Sequence, residues 1–310
     1  WTSNGVVIST AANEQVALAI VSDGIGGAII AWQDNRSGTN YDVYAQRVNA
    51  AGVVQWTQDG VPISTTAYHE TSPVITSSGI GGALITWETI GTGDIYDIYA
   101  QRINSSGVVQ WATNGVAIST AAGGQAYPSI TSDDAGGAVI AWEDSRNGNG
   151  DIYAQRINTQ GVVQWIKDGV PITKLANRDY FPTIIGDGTG GAVIAWSNRS
   201  NVYYQRINVT GITQWQTDGV CLSTSAVGNS PPAILCDGTG GTIITWSAVT
   251  DNDNWDVYAQ RVDDLGAFQW KPNGVAISTA ANRQSLPMIV TDSEGGVIIS
   301  WTDGRTGSGI

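Results

Sequence analysis

A single histidine, His69, limits what this chain can do by nucleophilic or metal chemistry. No Ser-His-Asp relay and no multi-histidine metal site can be assembled around several imidazoles when only one exists. Carboxylates remain. Glu70, Glu88, Glu143 and Asp179 are the acids that could supply a glycosidase pair, a chemistry that needs two carboxyl groups roughly 5–10 Å apart. No motif assigns acid, base or nucleophile among them. A second chemistry is calcium binding. The run Asp251-Asn252-Asp253-Asn254-Trp255-Asp256 places oxygen ligands at alternate positions, which makes Asp251, Asp253 and Asp256 calcium candidates. The run lacks the glycine and distal glutamate of an EF-hand loop, and an Asx-rich turn explains it equally well. Cys221 and Cys236 fall at unmatched repeat positions, so two unpaired thiols are expected rather than a disulfide or a metal site.

These residues sit on a frame written six times. It reads W-x-x-[DN]-G-V, a loop, G-G-x-[VIL]-I-x-W, a second loop, then Y-x-Q-R-[VI]-[ND]. Its opening tryptophans are Trp1, Trp56, Trp111, Trp165, Trp215 and Trp270, which gives repeats 1–55, 56–110, 111–164, 165–214, 215–269 and a partial 270–310. A period this long in strand-like pieces predicts a radial or stacked architecture in one cooperative domain spanning 1–310. In the third copy the strands are predicted over Pro128–Ser132, Ala138–Trp142, Asp151–Asn158 and Val170–Thr173. The second of these is apolar on both faces, as a strand buried on both sides must be. Four antiparallel strands per unit make a propeller blade, so the fold class predicted is all-β, a β-propeller of six four-stranded blades. Trp32, Trp87, Trp142, Trp196, Trp246 and Trp301 close the second strands and should wedge between blades. Tyr44, Tyr99, Tyr153, Tyr203 and Tyr258 read as core in the same way. Arg47, Arg102, Arg156, Arg206 and Arg261 read as structural arginines, stacked on a ring or paired with a local aspartate.

The stretch Gly136-Gly137-Ala138-Val139-Ile140-Ala141-Trp142-Glu143-Asp144-Ser145-Arg146, followed by Asp151-Ile152-Tyr153-Ala154-Gln155-Arg156-Ile157-Asn158, resembles the blades of bacterial extracellular β-propeller repeat proteins. The resemblance covers essentially the whole chain. It implies a secreted or surface-attached setting beside adhesive domains, mostly without an assigned activity. The sialidase repeat S-x-D-x-G-x-x-W is not met, because the spacing from Ser22-Asp23-Gly24 to Trp32 differs.

The last repeat stops where its third strand should begin, and the chain opens on a fourth-type strand, Val6–Thr10. A fragment of a longer protein is expected, with a thin blade closed by the N-terminal strand as an alternative. Strand donation by another chain, giving self-assembly, is the sharper alternative. The chain opens on Trp1 instead of Met, which suggests a leader removed on export.

Charge narrows the partners. With 14 Lys+Arg against 27 Asp+Glu, the formal charge of −13 repels phosphate backbones and anionic lipid, so neither nucleic acid nor membrane insertion is expected. A protein or a surface glycan is the partner expected. Copies sharing one frame should carry function where they differ. The loops between second and third strands and those leading into each first strand fall on one face, which makes that face the default site. It holds Glu14, His69, Glu70, Arg178, Asp179, Tyr180, Trp255 and Arg283. The function expected is a non-enzymatic extracellular scaffold for adhesion or assembly. A lectin-like propeller using Trp255 or Tyr180 is the alternative, followed by a glycan-active enzyme.

Overall fold

The computed structural model describes residues 2–93, 95–174, 177–198, 200–224, 230–249, 254–292 and 296–305. Among them every regular element is a strand, and no helix occurs. The first sheet runs β1 (Gln15–Ser22), β2 (Ala28–Asp34), β3 (Asp42–Val48) and β4 (Val61–Ser64). The second runs β5 (His69–Ser77), β6 (Ala83–Ile90), β7 (Tyr96–Ile103) and β8 (Val116–Ser119). The third comprises β9 (Gln125–Ser132), β10 (Ala138–Asp144), β11 (Asp151–Ile157) and β12 (Val170–Pro171). The fourth comprises β13 (Asp179–Gly186), β14 (Ala192–Asn198), β15 (Val202–Ile207) and β16 (Val220–Ser223). The fifth comprises β17 (Ala233–Cys236), β18 (Thr242–Val249), β19 (Trp255–Val262) and β20 (Val275–Ser278). The sixth holds only β21 (Gln284–Thr291) and β22 (Val297–Asp303) among the described residues. Strand order follows chain order, and every pairing with a recorded register is antiparallel.

The chain divides into two compact units. One comprises residues 1–140 and 155–170, and the other 141–154 and 171–310, so the third sheet contributes to both. Within the first unit β1 lies against β5 and β5 against β9. Within the second β13 lies against β17 and β17 against β21.

Five of the six second-strand tryptophans are buried as the repeat predicts, and Trp301 is only half-buried. Trp32, Trp87, Trp142, Trp196 and Trp246 are at most 2% exposed, and each is stacked on the tyrosine of its own third strand with centroids 5.9–6.4 Å apart. The glycine of the W-x-x-[DN]-G turn admits them. At Gly115 the backbone has φ +86°, and a Cβ there would stand 2.5 Å from the Trp87 ring. The residue before that glycine is also left-handed, with φ near 60° at Asp59, Asn114, Asp168, Asp218 and Asn273. A short Asx side chain tolerates that conformation. It then accepts the backbone N–H that follows the preceding fourth strand: Thr65 to Asn114 at 3.1 Å, Thr120 to Asp168 at 3.0 Å, Lys174 to Asp218 at 2.9 Å. The first four sheets are thereby each latched to the next copy, the fourth through Thr224 and Asn273 at 3.2 Å.

Four of the five repeated arginines pair with an aspartate. Arg47 meets Asp23, Arg156 meets Asp133, Arg206 meets Asp187 and Arg261 meets Asp237, all within 3.0 Å. In the second copy Ser78 stands at the aspartate position, and the buried Nε of Arg102 has no hydrogen-bond partner.

Three expectations need correction. Val6–Thr10 forms no strand; Ile8 packs against Ile30, Trp32 and Val48, and Thr10 donates its N–H to Asp59 at 2.6 Å. It keeps the latch of a fourth strand without a neighbouring strand to pair with. The fourth strand of the third copy shortens from the expected Val170–Thr173 to Val170–Pro171. Finally, the first strands are not regular. Registers shift after Val16, Thr71, Tyr180 and Ser285, with φ near +50° at Ala17, Ser72, Tyr127, Phe181 and Leu286. These are β-bulges, which bend a strand and re-aim its side chains.

Candidate functional site

The polar residues selected from the sequence come together in three separate groups, each at a junction between successive copies. In the first, the Tyr41 hydroxyl donates to Glu14 Oε2 at 2.7 Å, and the Tyr41 N–H donates to His69 Nδ1 at 3.3 Å. The Tyr41 and His69 rings lie 6.0 Å apart. In the second, Arg178 reaches Glu143 at 3.3 Å and stands 4.8 Å over the Tyr180 ring. In the third, Arg283 lies 4.3 Å over the Trp255 ring and donates to Ser285 Oγ. His69, Arg178 and Arg283 occupy one repeat position, immediately before the first buried residue of the first strand. Their partners Tyr41, Gly150 and Trp255 occupy another. Sizes compensate: a Cβ on Gly150 would lie 2.7 Å from Arg178 Cγ. These pairs fill seams.

Glu70 and Asp179 are fully buried, at the repeat position held by Gln15, Gln125 and Gln284. The glutamines donate to carbonyls of the preceding loop, as Gln125 does to Gly123 at 2.7 Å. The acids instead accept, Glu70 from Ser64 Oγ at 2.5 Å and Asp179 from Thr173 Oγ1 at 2.9 Å. Glu70 Oε2 and Asp179 Oδ1 are left without a partner. Burial pushes both carboxyls up, Asp179 to about 7 with the nearby Asp151 charge adding to the effect. Glu88 and Glu143 also serve the frame: each accepts the N–H of the next copy's bulge residue, Tyr127 at 2.6 Å and Phe181 at 3.0 Å. Burial raises Glu88 as well.

Of the calcium candidates, Asp251 and Asp253 lie outside the described residues. Asp256 is buried and accepts from Asn254 at 3.2 Å. Among the described residues no cluster of three His, Cys, Asp or Glu is placed to hold a metal ion. Cys221 and Cys236 form no disulfide, and the Cys236 thiol donates to the Gly186 carbonyl at 3.3 Å.

The group that the sequence did not single out lies where a repeated contact is missing. In the first copy the run Asp34-Asn35-Arg36 folds its guanidinium back over Tyr44, 3.6 Å from the ring centre, with Arg36 Nε 2.8 Å from Asp34 Oδ1. Arg36 also donates to the Asp59 carbonyl at 2.7 Å. The third copy repeats this with Arg146, 4.0 Å over Tyr153 and held by Asp144. The second copy reads Thr89-Ile90-Gly91, with neither the aspartate nor the arginine. Over Tyr99 there is instead a cleft of about 360 Å³, lined among others by Tyr68, Thr89, Gly91, Asp97 and Thr120.

Asp97 marks this cleft chemically. Its counterparts Asp42 and Asp151 accept amide hydrogens from Asn40 at 2.9 Å and Asn147 at 3.0 Å. At the corresponding positions the second copy has Ile95 and Thr92, and no donor among the described residues reaches the Asp97 carboxylate. Burial raises its proton affinity, and the Asp168 charge raises it further. Asp168 is fixed by the Thr120 N–H. One carboxylate thus lines an aromatic-floored cleft, with the Asp168 charge near enough to act on it. The only sequence signal was subtractive, Asp-x-Arg becoming Thr-x-Gly.

No family model matches the chain, and no curated protein matches it. Solved structures do. The chain is similar to the NanB sialidase from Streptococcus pneumoniae with TM-score 0.54 and 7% identity, over 95% of this chain and 66% of that one. It is similar to a Hadza microbial sialidase with TM-score 0.53 and 9% identity, over 91% of this chain and 61% of that one. It is also similar to an α-L-arabinofuranosidase from Fusarium graminearum with TM-score 0.50 and 13% identity, over 96% and 91%. The likeness is one of fold, and it supports a β-propeller built from four-stranded antiparallel sheets.

The expectation of a non-enzymatic scaffold is thereby corrected. It rested on a frame poor in catalytic groups, yet similarly folded structures include sialidases and an α-L-arabinofuranosidase, so the reading of the chain as no enzyme loses its ground.

Proposed function

We propose that this chain is a glycan-active enzyme working at the cleft over Tyr99. The observation that carries the reading is the cleft itself, where an aromatic face meets the Asp97 carboxyl, which no donor among the described residues reaches. An aromatic ring stacks on the C–H face of a sugar, and carboxylates take its hydroxyls. Asp97, whose raised proton affinity suits a general base, would as its carboxylate take a proton from the attacking water while the glycosidic bond breaks and the leaving oxygen takes up a proton from solvent. The names of the similarly folded sialidases and arabinofuranosidase agree with a glycan substrate. Within the same reading the six sheets are six blades of a single domain, and an extracellular setting is where such a polymer would be met.

A panel of aryl glycosides and polysaccharides tests it. Hydrolysis of at least one substrate is expected, with Asp97→Asn lowering kcat by roughly 10²- to 10⁴-fold, the usual contribution of a positioned general base. A panel that stays blank, or a turnover indifferent to Asp97→Asn, would refute the assignment.

A further inference from the structure

We propose that the glycan taken by this cleft is a basic one, a polymer of free amino sugars whose ammonium group sits where Arg36 and Arg146 place their guanidinium groups in the sister copies. The inference rests on the reading of the cleft as a glycan site and adds the charge of the ligand.

The chain supplies its own template. Twice it seats a cation over the third-strand tyrosine, at 3.6 Å and 4.0 Å from the ring centre. A cation held over an aromatic face gains from the ring quadrupole, more so when partly desolvated. The second copy keeps the tyrosine, stacked on Trp87 with centroids 6.4 Å apart, and keeps the aspartate two residues before it. It lacks the built-in cation and the asparagine donor. Among the described residues, the polar side chains lining the cleft around the ring are Asp97, Thr89, Thr92, Thr120 and Tyr68. Burial raises the proton affinity of the Tyr99 hydroxyl, and the nearby Asp97 and Glu70 charges raise it further. The Asp168 charge acts on Asp97 from beside the cleft, and Asp168 pairs with the exposed Lys167 at 4.0 Å.

The fourth copy gives the contrast. There the aspartate position is Asn201, and its amide lies 3.1 Å from the Tyr203 hydroxyl, so no carboxylate needs a counter-charge. Only the second copy, among the described residues, combines an open ring face with a carboxylate lacking a donor. At long range the chain's charge of −13 favours approach of a polycation and disfavours a sialic or uronic polymer.

The experiment is calorimetric binding to the full chain at pH 6 and 0.15 M salt. The probes are a β-1,4-linked glucosamine tetramer, its fully N-acetylated counterpart and an arginine-bearing tetrapeptide. The variants are Asp97→Asn and the double change Thr89→Asp with Gly91→Arg, which rewrites the second copy in the wording of the first and third. The proposal expects the free amine to bind at least about tenfold more tightly than the acetylated tetramer, the scale of a desolvated cation over an aromatic ring. It expects Asp97→Asn to erase that preference and the double variant to abolish binding of both, with a circular dichroism spectrum and melting curve like those of the wild type. Equal binding of the two tetramers overturns the proposal and leaves the glycan reading standing. A preference for the amine that survives Asp97→Asn also overturns it, because the cation is then held elsewhere on the acidic surface. Binding of neither tetramer overturns both readings, and capture of the peptide alone would make the occupant a protein.

Discussion

Asp179 offers the sharpest test of how the buried acids are held. It is fully buried, Thr173 gives it one hydrogen bond at 2.9 Å, and its Oδ1 has no partner. Burial, with the Asp151 charge nearby, raises it from 3.8 to about 7. The folded chain therefore keeps a proton there that the unfolded chain releases above about pH 4. Because the unfolded state binds fewer protons across this window, stability falls as pH rises from about 4 to about 7 and levels off beyond. Each pH step is worth about 1.4 kcal/mol, so the loss approaches about 4 kcal/mol as an upper bound. That is a large share of a typical domain's stability of about 5–15 kcal/mol. Asp179→Asn replaces the carboxyl with a neutral amide of the same shape, and amides already fill this position at Gln15, Gln125 and Gln284. Urea unfolding at pH 4.5, 6 and 8 should find the variant near the wild type at pH 4.5 and about 2–4 kcal/mol more stable at pH 8. Subtracting the two curves removes the parallel contributions of Glu70 and Glu88, which burial also raises. A difference that does not grow between pH 4.5 and 8 would refute the reasoning.

Two further changes probe the frame. Ser78→Asp should supply the carboxylate that Asp23 gives to Arg47 and Asp237 gives to Arg261. Satisfying the buried Nε of Arg102 should raise stability by about 1–3 kcal/mol, read as a higher urea midpoint at unchanged slope; a lower midpoint would count against the pairing scheme. Gly115→Ala places a Cβ 2.5 Å from the Trp87 ring and 2.8 Å from the Ala100 carbonyl, at φ +86°. It should cost about 3 kcal/mol or more, and an unchanged melting temperature would show that the Trp87 wedge yields.

The strands and their tryptophans were legible because each is stated several times. Alternation fails at Ala138–Trp142 in the sequence for the same reason that β10 is buried throughout: both faces of the strand are covered. The bulges were not legible. They put Ala17, Ser72, Tyr127, Phe181 and Leu286 into left-handed φ, and none is a glycine or asparagine that would announce it. Their geometry is instead held from outside, as Glu88 holds the Tyr127 N–H, so the signal lies on another strand.

The candidate site divides along the same line. Searching for rare polar residues found His69, Arg178 and Arg283, but rarity in a repeat has two sources. A residue can be unusual because it does chemistry or because the residue facing it is unusual too, as Arg178 is large where Gly150 is small. The structure assigns all three to the second source. The cleft over Tyr99 was hidden for the opposite reason: it is made by residues that are missing. Replacing Asp-x-Arg by Thr-x-Gly adds no reactive group, and its consequence appears only in what remains, a tyrosine face and an aspartate whose neighbours no longer satisfy it. In a chain of near-copies the frame can spare a contact in one unit because the other latches persist; here the Thr65–Asn114 and Thr120–Asp168 bonds still tie the second sheet to the first and to the third. Loss of a contact that the fold can do without is how a repeat acquires a site without acquiring a new side chain, and the second copy has lost two, at Gly91 and at Ser78.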